Sequence, residues 1–174
     1  MKTTKVCEHD VRVQGDHKVC AVCKLALGPV YNLDRLNEDI QFLLGRISLE
    51  YDTLKAKFMA DASKDPSSAI RWLAYDLLVS QHRAAYAEEL QRAFGGAKTS
   101  TAMRDLLRDE RTRLTRHLTR GSAAEWDTST CAFNNQDMKA RTVADAKSLK
   151  LLADLADRFD VLDADLNLPR MAQP

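Results

Sequence analysis

The chain has 174 residues, and its 26 Lys and Arg side chains nearly balance 25 Asp and Glu, which leaves a formal net charge of +1. This balance argues against the bulk phosphate neutralisation of histone-like proteins. Since 45% of the residues are hydrophobic, the chain has enough apolar material for a packed core, so disorder over its whole length is excluded. The length suits one domain with a small appendage.

Composition also limits the fold class and the cellular location. Few runs of alternating Val, Ile and Thr occur, which excludes an all-β fold and predicts an all-α one. No apolar stretch approaches the roughly 18 residues that span a bilayer, and residues 1–5 lack the apolar run of a secretory signal. We therefore expect a cytoplasmic protein with no membrane partner.

Residues 1–28 differ from the remainder of the chain. They hold three of the four cysteines and two of the four histidines. They also contain two short β-prone runs, at 11–13 and 18–19. The sequence predicts a zinc ribbon or zinc finger over residues 1–28, followed by a bundle of about four helices over residues 29–174.

Two short pairs of metal-ligating residues, with ten residues between them, lie in this first segment. Gly15-Asp16 lies midway and predicts a hairpin turn that brings the two pairs together. Four soft or borderline ligands on two tight turns suit a tetrahedral structural zinc. The predicted zinc ligands are Cys7, His9, Cys20 and Cys23. His17, on the hairpin itself, is the alternative fourth ligand.

A disulfide is the competing interpretation of these cysteines. Disulfides belong to oxidising compartments, and a chain without a secretory signal is expected to keep its thiols reduced. A segment of fewer than about 30 residues with so little apolar content also needs a metal to fold. Zinc is therefore the predicted cofactor.

The run Gly15–Gly28, GDHKVCAVCKLALG, resembles the second half of the zinc ribbon in the general transcription initiation factor B family. In that family a Gly-led strand enters the second Cys-x-x-Cys knuckle and a Gly-Leu-Val-Leu-like strand leaves it. The resemblance covers about residues 5–30 and implies a ribbon fold there. Lys24 stands where the family has glycine, and the first pair is Cys-x-His. The rest of the chain does not resemble the family's cyclin-like repeats, so only the ribbon is implied.

Four helices are expected in the remainder of the chain. Apolar residues recur every three or four positions, and Pro, Ser, Thr and Gly mark the helix ends. Gly95-Gly96 is expected to form a left-handed cap at the end of the second helix. The predicted helices cover residues 32–62, 66–94, 100–121 and 136–163, with an ordered loop at 122–135 and fraying from Met171. The first and last helices are long enough for self-association, which predicts a homo-oligomer.

The third predicted helix is rich in arginine. On a helix these residues form two stripes that flank the apolar face, where guanidinium groups can contact phosphates. The candidate nucleic-acid contacts are Arg104, Arg108, Arg111, Arg113, Arg116 and Arg120. DNA is the favoured nucleic acid. The alternative is a solvated face paired with acidic neighbours, such as Asp154, Asp157, Asp160, Asp163 and Asp165 of the last helix.

The sequence offers few candidates for catalysis. His82 and His117 lie within helices without a carboxylate or cysteine at metal-ligand spacing. Cys131 has no partner cysteine nearby and is interpreted as a small hydrophobic side chain. No glycine-rich phosphate loop, nucleophile elbow or pair of catalytic carboxylates is found. We therefore expect a protein that is not an enzyme; a thiol enzyme built on Cys131 and a histidine is the least favoured hypothesis.

These observations together predict a binding function. The leading hypothesis is a zinc-binding accessory or regulatory protein that associates with nucleic acid, for example in a phage or mobile element, and oligomerises through its long helices. The alternative is a protein–protein adaptor or structural assembly protein that uses the zinc ribbon as a docking module. A zinc ribbon is compatible with both hypotheses, because such ribbons bind either nucleic acid or protein.

Overall fold

A computed structural model of the chain describes residues 10–123 and 132–171, and the side chains of residues 10–119 and 136–171. In this part of the chain the protein is mostly helical, with a small antiparallel sheet near its N-terminus. The backbone forms two compact units. One comprises the described residues up to Asn37 together with those from Asp157 onward, and the other comprises residues 38–156.

A three-stranded antiparallel sheet begins the described chain. The two-residue turn at Gly15 and Asp16 joins its first two strands, where the sequence predicts a hairpin. Gly15 has φ +59°, and a positive φ at the first turn residue is the pattern of a type II′ turn. The strands, in spatial order, are β1 (Val11–Gln14), β2 (His17–Cys20) and β3 (Ala26–Pro29).

The end of the described chain covers the outer edge of β1. The Val13 amide donates to the Pro169 carbonyl at 2.9 Å, and the Met171 amide donates to the Val13 carbonyl at 2.9 Å. This short parallel pairing satisfies backbone groups that an open strand edge would expose. Met171 is therefore held by hydrogen bonding, and the expectation that fraying begins at this residue is wrong.

Four helices account for most of the described residues. The last one begins at Ala132 rather than near Gln136, and residues 124–131 of the predicted loop lie outside the described part. No helix in this part is long and apolar enough to cross a membrane. The helices are α1 (Leu33–Ala62), α2 (Pro66–Gly96), α3 (Ser100–Ala123) and α4 (Ala132–Leu166).

Side-chain caps explain where two of these helices begin. At the start of α2, the Asp65 carboxylate accepts from the Ser68 amide at 3.1 Å, and proline occupies the first helical position. At the start of α3, the Thr99 hydroxyl accepts from the Ala102 amide at 3.2 Å. The left-handed glycine cap predicted at the end of α2 is wrong. The helix continues through Gly96, and the extended residue that follows it donates its amide to the Phe94 carbonyl at 3.0 Å.

The core of the unit formed by residues 38–156 lies around α2. Its residue Val79 packs against Ala140 and Ala144 of α4, where small side chains allow a close approach of the two helices. Arg83 and Tyr86 of α2 bind α1 and α3 respectively through Glu50 and Glu110. The fully buried large side chains of this unit are Ile40, Leu44, Leu90, Phe94, Met103, Leu114, Leu152 and Leu155.

The other unit joins the sheet to the C-terminal end of α4. The carboxylate of Asp165, a residue only 7% exposed, accepts from the Lys18 ammonium at 3.0 and 3.2 Å and from the Tyr31 amide at 2.7 Å. Such a buried carboxylate is stable only because it is paired and hydrogen-bonded. The buried apolar residues of this unit are Val19, Cys20, Leu36, Phe159 and Leu162.

Candidate functional site

The Cys20-x-x-Cys23 pair forms a tight turn between β2 and β3. The Cys20 amide donates to the Leu25 carbonyl, and the Lys24 amide donates back to the Cys20 carbonyl, both at 2.9 Å. The Cys23 amide also points at the sulfur of Cys20, with 3.4 Å between nitrogen and Sγ. Metal binds cysteine as the thiolate, whose sulfur can accept a backbone N–H bond in this position.

Lys24 has the backbone conformation of a glycine. Its φ is +59°, in the left-handed region, which costs a residue with a side chain about 1 kcal/mol. The turn therefore has at this position a conformation that glycine favours, although the sequence carries lysine.

Two of the four predicted zinc ligands, Cys7 and His9, lie outside the described residues. The described chain begins at Asp10, whose carbonyl accepts from the Ala21 amide at 2.8 Å, directly beside the Cys-x-x-Cys turn. Within the described ranges, no group of three or more His, Cys, Asp or Glu side chains is placed to hold a metal ion. The zinc site stays a prediction.

His17 lies at the opposite end of β2 from Cys20. It pairs with Gln14 at the hairpin turn, whereas Cys20 pairs with Val11. Three residues of extended strand separate the two Cα atoms by about 10 Å. The side chain of His17 is exposed.

Ion pairs within the helix hold at least two of the candidate arginines of α3. Arg108 binds Asp105 at 2.8 Å, and Arg113 binds Glu110 at 2.8 Å. Both partners belong to α3 itself rather than to the aspartates of the last helix. Of the other predicted contacts, Arg104 is half-buried, Arg111 and Arg116 are exposed, and the side chain of Arg120 lies outside the described residues.

Arg113 belongs to a polar network between α2 and α3. Its guanidinium lies 5.5 Å from the ring centroid of Tyr86, and the Tyr86 hydroxyl donates to Glu110 at 3.1 Å. Burial and the nearby Glu110 carboxylate raise the pKa of the Tyr86 phenol. The hydrogen bonds that Arg113 donates to the Glu110 carboxylate raise the pKa of the Arg113 guanidinium. Both groups therefore stay protonated at neutral pH.

An opening of about 520 Å³ lies between α2, α3 and α4, and we call it the arginine cavity. Two histidines join its walls through carboxylates of α4. His82 of α2 lies 2.9 Å from Asp137, and His117 of α3 lies 2.5 Å from Asp145. The cavity is lined by His82, Ala85, Tyr86, Glu89, Arg113, Arg116, His117, Arg141 and Asp145.

Two arginines of the cavity are not neutralised. Arg116 and Arg141 form no ion pair within the part of the chain that the structure describes, whereas Arg113 pairs with Glu110. The lining side chains include no serine, threonine or cysteine. The cavity is thus equipped to bind an anion, and its described lining supplies no alcohol or thiol nucleophile other than the Tyr86 phenol.

Sequence reasoning found Arg113 and Arg116 but missed Arg141 and the partners of both histidines. Asp137 is 55 residues from His82, and Asp145 is 28 residues from His117, so no local spacing could indicate these pairs. Arg141 is isolated from the arginine-rich helix along the chain. Only the packing of α4 brings it to the cavity.

Comparisons with protein-family models, with curated proteins and with solved structures find no match to this chain. The fold therefore defines only a broad class, a mostly helical protein with a small N-terminal antiparallel sheet.

Proposed function

We propose that this chain is a non-enzymatic, zinc-binding protein that associates with nucleic acid, DNA in particular, in an accessory or regulatory role. The observation that carries the proposal is the arginine cavity, where Arg116 of α3 and Arg141 of α4 face one opening without acidic partners in the described residues. Guanidinium forks match phosphate oxygens in geometry and charge. The exposed Arg111 adds a further cation on α3.

The zinc part of the proposal rests on the turn at Cys20 and Cys23. Its two cysteines have the Cys-x-x-Cys spacing of structural zinc sites, and the Cys23 amide points at the Cys20 sulfur within a tight turn. His9 is favoured over His17 as the fourth ligand, because His17 lies at the far end of β2 and His9 immediately precedes Asp10, which is bonded to the turn.

Metal analysis tests the zinc site. Protein purified without chelator should contain close to one zinc per chain, and Cys20→Ser and His9→Asn should lose it. His17→Asn is the matched control and should retain it. Zinc below half an equivalent in the unaltered protein would refute the site. Chelation should unfold the sheet and leave most of the helical circular dichroism, because the helical unit has its own core.

Salt-dependent binding tests the nucleic-acid proposal. We expect zinc-loaded protein to bind mixed-sequence duplex DNA, single-stranded DNA or RNA with an affinity that falls steeply as salt rises. Arg111→Gln combined with Arg116→Gln should lower the slope of log affinity against log salt by about two, one for each phosphate contact. Arg46→Gln is the control, since Arg46 is 60% exposed on α1 but outside α3 and the cavity. Absence of binding at low salt would refute the proposal.

A second candidate function is assembly or adaptor activity, and exposed apolar side chains near the α1–α2 connection favour it. Trp72 is 70% exposed, and Met59 and Ile70 are each 63% exposed. Large apolar side chains that stay exposed can contribute to a protein interaction surface. Sedimentation analysis tests it, because Trp72→Ser with Ile70→Ser should convert an oligomer to a monomer. Arg46→Gln again serves as the control. A protein that is already monomeric at high concentration would exclude self-association.

A further inference from the structure

We infer that the arginine cavity binds a phosphate monoester, such as the terminal phosphate of a nucleic-acid strand or a free nucleotide. The inference rests on the proposed nucleic-acid function and deepens it, because it names the class of ligand that the same cavity takes. Arg141, which lies on α4, is its distinguishing residue.

The shape of the cavity favours a terminal phosphate over one within a duplex backbone. It is a recess of about 520 Å³ between three helices, a volume within the range of small-molecule sites. Phosphates inside a duplex lie on a convex surface between their neighbours, whereas the end of a single strand projects and can reach further into a recess. The recess therefore selects for an end or for a small free ligand.

The charges of the cavity favour a monoester over a diester. A terminal phosphate carries a charge of about −1.5 to −2 and has three terminal oxygens, whereas a backbone diester carries a single charge. Arg116 and Arg141 can each donate two parallel N–H bonds to such a group. Glu89 and Asp145 also line the cavity, but Asp145 is bound by His117. The two arginines are therefore the groups expected to hold the anion.

The neighbouring groups hold the two arginine-bearing walls in place. His117 of α3 binds Asp145 of α4, and these residues follow Arg116 and Arg141 by one and four positions along their helices. The Arg113–Tyr86 contact and the Glu110 hydrogen bonds fix the adjoining wall between α2 and α3. The site is therefore preorganised, which reduces the ordering cost of binding.

The test compares short single-stranded DNA of one sequence with either a 5′-phosphate or a 5′-hydroxyl, alongside a nucleoside monophosphate. Each is titrated calorimetrically into the full-length protein. We expect the 5′-phosphorylated strand to bind at least about tenfold more tightly, as the loss of charge-assisted hydrogen bonds predicts. Arg141→Gln should abolish that difference. Arg111→Gln, an exposed arginine of α3 outside the cavity, should lower the affinity for both strands and preserve the difference.

The possible outcomes separate this inference from the proposed function. If the monophosphate binds and Arg141→Gln removes its binding while no DNA binds, the cavity site stands with a free nucleotide as its ligand, and the nucleic-acid function falls. If both strands bind equally and Arg141→Gln changes neither affinity, the inference is overturned and the nucleic-acid function survives. If neither the strands nor the monophosphate bind, both are refuted. Circular dichroism of Arg141→Gln checks that its helices are intact.

Discussion

Replacing Asp165 should destabilise the unit that joins the sheet to the end of α4. Asp165→Ala removes the acceptor of three short contacts, two from the Lys18 ammonium and one from the Tyr31 amide. Breaking a buried ion pair costs about 3–5 kcal/mol. Because the Lys18 side chain is 25% exposed and can regain water, we expect the lower end, about 3 kcal/mol.

Two further variants separate the contributions of charge and hydrogen bonding to this loss of stability. Asp165→Asn keeps an oxygen for the Tyr31 amide and loses only the charge, so it should cost about 1–2 kcal/mol. Asp160→Ala, an exposed aspartate on the same helix, should cost less than about 0.5 kcal/mol. Urea unfolding followed by circular dichroism measures all three, and thermal unfolding of Asp165→Ala should fall by about 6–12 °C.

One result would refute this reasoning. If Asp165→Ala unfolds at the same urea concentration as Asp160→Ala, the contacts with Lys18 and Tyr31 contribute nothing to stability. A double-mutant cycle with Lys18→Met would then show no coupling between residues 18 and 165. Coupling of more than about 1 kcal/mol would instead assign the loss to the ion pair.

Three further predictions follow from single residues. Lys24→Gly should be more stable than Lys24→Ala by about 0.5–1 kcal/mol, because glycine adopts the positive φ of this position without steric strain. Equal thermal unfolding temperatures of the two variants would contradict this. Because folding raises the pKa of the Tyr86 phenol, its contribution to stability is complete below about pH 10 and is lost as the pH rises towards the folded-state pKa. Tyr86→Phe should therefore reduce the fall in the free energy of unfolding above pH 10, measured by urea unfolding. An unchanged fall would contradict this prediction. Leu155→Ala, at a fully buried position, should lower the free energy of unfolding by about 3 kcal/mol. Leu49→Ala, at a position that is 65% exposed, should lower it by less than about 0.5 kcal/mol. Similar losses for the two variants would refute the described core.

The features that sequence predicted well are those with local causes. The hairpin follows from Gly15-Asp16, since a two-residue turn needs a positive φ that glycine adopts freely. The start of α2 follows from Asp65 and Pro66, which supply a cap and a preset φ. The end of α2 was mispredicted, because Gly95 and Gly96 tolerate helical dihedrals as well as left-handed ones, and helical packing around the buried Phe94 decides between them.

The candidate sites were only partly predictable, because their partners are distant in sequence. The arginines of α3 are a visible cluster, but whether each one is neutralised depends on neighbours such as Glu110, which pairs with Arg113 on the same helix. Arg141 carries no signal of its own in α4. A charge pattern therefore indicated which helix bears cations, while packing determined which of them face one cavity.

The C-terminal segment shows why position in the chain is a poor guide to order. Leu168 and Pro169 end α4 because a residue before proline avoids helical dihedrals, and this leaves the following residues extended. An extended segment beside an open strand edge can pair with it. Proline does not prevent this pairing when only its carbonyl takes part, and the Pro169 carbonyl accepts from the Val13 amide. A sequence pattern that indicates the end of a helix thus also supplies the extended residues that pair with β1. The position of β1 beside them explains why residues 169–171 are hydrogen-bonded.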